Sequence, residues 1–258
     1  MFNKFFYKKV MTVLYSALLL SSCQSGFQDD NKFRVKQSEI VKINTELGIN
    51  YMQNQQYDDA EEKLTKAIKI DPRNTDTLNA LALLKSRTKQ TELANYYFQK
   101  AIRLEPDNPV INNNYGQYLC TIGSHAQGMD YLEHAIKEYE GNTKAIALFN
   151  SGVCARTSGD LKLAISYLKK TLEQSPNYPN AIIELSFLMV QRKNYHRAEK
   201  FLANFNKLSE PTALSLYTGY LIAKKKGQLN ESKRLRILLK NLFPFSKENI
   251  QLTQTYQR

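Results

Sequence analysis

The residues of this 258-residue chain best equipped for chemistry are three cysteines, Cys23, Cys120 and Cys154, and three histidines, His125, His134 and His196. A thiol can be acylated, oxidised to a disulfide, bound to a metal or used as a nucleophile, and its surroundings decide which. The histidines fall at intervals that match no metal-ligand spacing, and neither a phosphate-cradling glycine loop nor a serine nucleophile motif occurs. The paired acids Asp58-Asp59 and Glu61-Glu62 stand at the start of an expected helix, where they complement its dipole. Catalysis is therefore not expected, and no cofactor or metal is implied.

Cys23 is expected to follow a cleaved leader. The segment MFNKFFYKKV carries Lys4, Lys8 and Lys9 with no acid, and an apolar run from Val10 to Leu20 follows. That run is too short for a permanent membrane span, which needs about 20 residues. Its exit, Leu20-Ser21-Ser22-Cys23, resembles the bacterial lipobox, in which the cysteine is acylated and becomes the new N-terminus. Residues 1–22 are expected to be a lipoprotein signal peptide, and Cys23 to carry a covalent lipid that anchors the chain to a membrane. Residues 23–40 are polar and expected to form a flexible tether. The residue after the cysteine is Gln24 rather than the aspartate of inner-membrane lipoproteins, and the resemblance implies the periplasmic face of an outer membrane.

The formal charge is +12, and loss of the three leader lysines would leave +9. Most of the lysines and arginines are dispersed among acids, and the densest run, Lys224-Lys225-Lys226, is near the C-terminus. That dispersion describes solvated helix faces and argues against a nucleic-acid surface.

The elements that must position these residues repeat. Gly48, Ala60, Leu64, Ala67 and Pro72 recur 34 residues later as Ala82, Ala94, Phe98, Ala101 and Pro106, then as Gly116, Gly128, Leu132 and Ala135, with Glu140 in place of the proline. The period slips by two residues near EGNTK and resumes at Gly152, Ala164, Leu168, Thr171 and Pro176. Ser186, Ala198, Leu202 and Phe205 mark a fifth copy; Gly219, Leu235 and Leu238 mark a weaker sixth. This pattern resembles the tetratricopeptide repeat. Small residues let two antiparallel helices approach, larger ones fill the space behind, and proline closes the second helix because it lacks an amide hydrogen. The resemblance implies an all-α fold: a right-handed superhelical solenoid of about six helix-turn-helix repeats over residues 41–245, with a cap or tail at 246–258.

Cys120 and Cys154 sit near the ends of the first helices of copies three and four, in neighbouring rather than identical columns. Either a disulfide or two buried thiols fits that placement in an oxidising compartment.

The segments NPVINNNYGQYLCTIGSHAQGMDYLEHAI (Asn108–Ile136) and ALFNSGVCARTSGDLKLAISYLKKTL (Ala147–Leu172), behind a lipobox, closely resemble the PilF/PilW-type pilotins of type IV pilus biogenesis. The resemblance implies an outer-membrane lipoprotein that binds the pilus secretin and promotes its localisation and multimer assembly. A general periplasmic repeat adaptor in outer-membrane protein assembly or peptidoglycan synthesis is the alternative. In either case the inner surface of first helices is the expected binding face, and helical spacing puts Ile49, Met52, Asn79, Leu83, Arg87, Asn113, Gln117, Phe149, Val153, Ile183 and Phe187 there. An amide such as Asn79 or Asn113, which share a column, can both donate to and accept from a peptide backbone.

Overall fold

Second helices form wherever a small–large–small triplet recurs at helical spacing, because one such face must be buried against a partner helix. The computed structural model describes residues 34–139 and 141–256. These residues contain thirteen helices and no strand. Helix α1 covers residues 34–53, followed by α2 (Tyr57–Ile70), α3 (Thr75–Arg87), α4 (Thr91–Leu104), α5 (Pro109–Thr121), α6 (His125–Glu138) and α7 (Gly141–Thr157). Then come α8 (Leu161–Gln174), α9 (Pro179–Gln191), α10 (Tyr195–Leu208), α11 (Ala213–Lys225), α12 (Leu229–Leu242) and α13 (Lys247–Tyr256). The chain falls into two compact units, one holding α1 to α4 and ending at Glu105, the other beginning at Pro106. The leader, Cys23 and Glu140 lie outside the described residues.

The expected columns form the core of each pair. Ala60, Leu64 and Ala67 on α2, Ala94, Phe98 and Ala101 on α4, and Ala164, Leu168 and Thr171 on α8 are wholly buried. In the α5–α6 pair the backbones themselves touch: a methyl group at Gly116 would lie 2.8 Å from the Gly128 carbonyl oxygen, and one at Gly128 would lie 2.8 Å from that of Gly116. In the fifth pair Ser186 takes the small position and its hydroxyl donates to the Ala198 carbonyl at 2.7 Å, so the side chain that replaces glycine is itself satisfied. Pro72, Pro106 and Pro176 occupy the turns after α2, α4 and α8. After the first two turns the next helix is started by a side-chain cap: Asn74 accepts from the Thr77 amide, and Asn108 from the Val110 and Ile111 amides; after Pro176 the N-cap is Tyr178, which makes no such bond.

Within each pair the turn passes through one left-handed residue: Gln55, Lys89, Gly123, Gly159, Lys193 and Gly227. These positions are 34 residues apart, save for 36 between Gly123 and Gly159. Glycine is expected at such a φ, and its absence from three of the six turns hides the column from a composition-based reading.

Two expectations need correction. Residues 34–40 belong to α1 rather than to a tether; most of their side chains are exposed, so no apolar spacing marks the start of the helix. In the sixth pair the buried residues are Ser232, Leu235 and Leu239, and Leu238 is only half-buried. Ser232 and Leu239 keep the 34-residue spacing from Ala198 and Phe205, and only the large middle position moves by one, to Leu235, because residue 236 is an exposed arginine. Beyond it, α13 packs on α11 and places Leu252 in a cluster with Leu216, Tyr217 and Tyr220.

Candidate protein-binding surfaces

In the first unit the expected surface residues divide. Ile49 and Leu83 are half-buried and rest on the cluster of Ala60, Leu64, Leu81 and Leu84. Met52 belongs to that cluster, with 3% of its surface exposed, and is a core residue rather than a contact surface. Asn79 is half-buried. Arg87 is exposed, yet its guanidinium donates to the Met52 carbonyl at 3.1 Å and so ties the end of α3 to the end of α1. The same two helices share a buried hydroxyl pair, Thr45 and Thr77, 2.7 Å apart. Nearby the Lys85 ammonium, itself buried, meets the Glu61 carboxylate at 2.6 Å; one of the paired acids of α2 therefore has a structural partner.

In the second unit α5 and α7 are joined by amides. Asn150 donates through Nδ2 to Asn113 Oδ1 at 2.9 Å, and Gln117 donates through Nε2 to Asn150 Oδ1 at 3.2 Å. Asn113 is 5% exposed, and its carbonyl is already engaged by a neighbouring helix, whereas Gln117 is exposed. Asn113, expected on the open face, is therefore buried and paired within the array, and Gln117 is the exposed end of the ladder. Asn150 was not singled out by the sequence, because it shares no column with Asn113.

Phe149 and Val153 are half-buried on α7, with the Phe149 ring 5.3 Å from that of Tyr178. Ile183 is 4% exposed and packs with Ile182 and Phe205, so it is core. Phe187 is half-buried, 6.3 Å from the Tyr217 ring, and rests on the cluster that includes Leu252 of α13. The C-terminal helix therefore contributes to the surroundings of the last expected contact residue. Met52 and Ile183 stand one turn or less from half-buried neighbours, and the helical wheel alone does not separate the inner surface from the core behind it.

Two further features stiffen this unit. Cys120 of α5 and Cys154 of α7 form a disulfide with their Cα atoms 5.4 Å apart, buried beside Leu132 and against Met129. Arg156 of α7 and Glu184 of α9 form an ion pair across 2.9 Å, both side chains largely buried. Burial pushes the Glu184 carboxyl above its ordinary range, against the opposing pull of Arg156 and Lys247. Among the described residues no group of histidine, cysteine, aspartate or glutamate is arranged to hold a metal ion. The surfaces present amides, apolar side chains and scattered charge, which suits recognition of another polypeptide.

Comparison with known proteins gives a consistent picture. Tetratricopeptide repeat models match residues 41–74, 75–108, 123–179 and 155–205, together more than half of the chain. The type IV pilus assembly protein PilF of Pseudomonas aeruginosa is 26% identical over 237 residues, covering 92% of this chain and 94% of PilF. The solved structure of PilW, a widely conserved type IV pilus biogenesis factor, superposes with a TM-score of 0.72 at 29% identity, covering 83% of this chain and 98% of PilW. The solved structure of Pseudomonas aeruginosa PilF gives a TM-score of 0.71 at 24% identity, covering 85% and 99%.

Proposed function

Since this chain belongs to the tetratricopeptide-repeat proteins, we propose that it works by binding another protein, in type IV pilus biogenesis, as a lipid-anchored pilotin on the periplasmic face of the outer membrane. Its partner is the pilus secretin, whose localisation and multimer assembly it promotes. The observation that carries the proposal is the end-to-end similarity to PilF, which spans nearly all of both chains rather than a few repeats. PilW, alike in fold and at 29% identity, supports a place in type IV pilus biogenesis.

The mechanism requires no bond to be made or broken. Acyl chains on Cys23 hold the molecule at the membrane, where two or more chains give lasting attachment. The helix pairs then raise the local concentration of a secretin protomer at the place of assembly. Ile49, Leu83, Gln117, Phe149 and Val153 are the contact residues we favour, because each is exposed or half-buried on a first helix.

The test follows the secretin in outer-membrane fractions of a deletion strain complemented with the wild-type chain or with Cys23→Ala, scoring heat-stable multimer against monomer. The expected result is loss of multimer on deletion, rescue by the wild-type chain, and failure of Cys23→Ala to restore the outer-membrane location. Normal multimer in the deletion strain would refute the role and favour a general periplasmic adaptor.

A further inference from the structure

A cavity of 640 Å³ opens among α8, α9 and α10. Its floor is apolar: Ile165, Leu185 and Met189 line it and are all buried. Its rim carries four exposed cations, Lys169, Arg192, Arg197 and Lys200. No acidic residue lines the cavity, and among the described residues none of the four cations forms an ion pair. A second cavity, among α6, α7 and α8, makes the contrast: at 370 Å³ it mixes Lys137, Lys144 and Lys170 with Glu133 and Glu173, and its Tyr167 hydroxyl already donates to Glu133. One cavity offsets most of its positive charge from within; the other has four cations and no acid.

We propose that the cavity among α8, α9 and α10 is a docking site for an acidic peptide segment of a partner protein, one that carries a large aliphatic or aromatic side chain between carboxylates. The apolar floor takes that side chain, since a cavity of this size holds one or two large groups, and Met189 adapts to either an aliphatic or an aromatic occupant. The rim takes the carboxylates, and Arg192 and Arg197 can each hold one through two parallel hydrogen bonds. Cations distributed around the mouth favour a peptide over a lipid headgroup, because flanking residues of a chain present several separated carboxylates where one headgroup presents a single phosphate. The site lies chiefly on second helices, away from the first-helix residues assigned to the secretin, and it does not depend on that assignment.

The experiment measures fluorescence anisotropy of short labelled acidic peptides with a central leucine, phenylalanine or serine, added to the purified full chain, alongside sedimentation with phosphatidylglycerol vesicles. The leucine and phenylalanine peptides are expected to bind at least about tenfold more tightly than the serine peptide. Arg192→Glu with Arg197→Glu is expected to abolish that binding without changing the thermal midpoint. Lys137→Glu with Lys170→Glu, an equal change of net charge at the mixed-charge cavity, is expected to leave it intact. Four results would overturn the proposal: no saturation by any of these peptides below about 1 mM, equal affinity for serine and leucine peptides, equal loss in both charge-reversal variants, or binding to vesicles alone.

Discussion

The disulfide between α5 and α7 permits a quantitative test. It closes a loop of 34 residues between Cys120 and Cys154. In the chain-entropy description, restricting a loop of that length in the unfolded chain stabilises the folded one by about 4 kcal/mol at room temperature. With a urea dependence of about 2–3 kcal/mol/M, the unfolding midpoint should fall by about 1.3–2 M when the bond is absent. Reduction of the wild-type chain is the cleaner perturbation, since it removes the covalent link and leaves both sulfurs in place beside Leu132. The assay is urea denaturation followed by far-ultraviolet circular dichroism, oxidised against reduced, with thiol alkylation and mass spectrometry to verify each state. Cys120→Ala with Cys154→Ala should show at least the same loss, because it also empties buried volume. Repeat arrays are stabilised mainly by neighbour contacts, so amide exchange should locate the greatest loss of protection in α5, α6 and α7. Coincident midpoints for the oxidised and reduced chain would refute the reasoning.

Two further outcomes are expected. Asn150→Ala leaves the buried Asn113 carbonyl without its donor and should destabilise by about 1–3 kcal/mol; a double-mutant cycle with Asn113→Ala should recover part of that loss, and strict additivity would deny the contact. The Glu184 carboxyl is raised above its ordinary value, so the folded chain holds this proton more tightly than the unfolded one. Its contribution to stability is then full below the ordinary glutamate range and is lost as pH rises through the raised value. Glu184→Gln should remove that loss, which urea midpoints from about pH 4 to about pH 8 would reveal, whereas parallel profiles for the two chains would contradict the assignment.

The fold was legible because its determinants are local and recurrent. Alanine at 60, 67, 94 and 101 is informative only in company: a small residue at a fixed distance from another, repeated, marks two helices in contact. The sites were less legible. Met52 and Ile183 share a helix face with half-buried neighbours, and an apolar residue at its edge reads the same whether it meets solvent or the next helix. Asn113 was visible as a column residue, but its partner Asn150 lies 37 positions away and outside the period. The pairing of Arg156 with Glu184 and the grouping of four cations around one cavity depend on how successive helices stack, and no single window of sequence contains them. The exposed residues 34–40 illustrate the opposite failure, in which a helix carries no apolar stripe to announce it.

The spacing of the left-handed turns has a consequence for how such a chain tolerates change. Five intervals separate six turns, and the two extra residues fall in one interval, between Gly123 and Gly159. The next interval is 34 again, and Gly152 still meets Leu168 as Gly48 meets Leu64. A length error is therefore contained where it arises, because each pair sets its own register by contact rather than by counting from the start of the chain. A protein built this way can lengthen a connection at one joint and keep the geometry of every other, so its surfaces can diversify one repeat at a time.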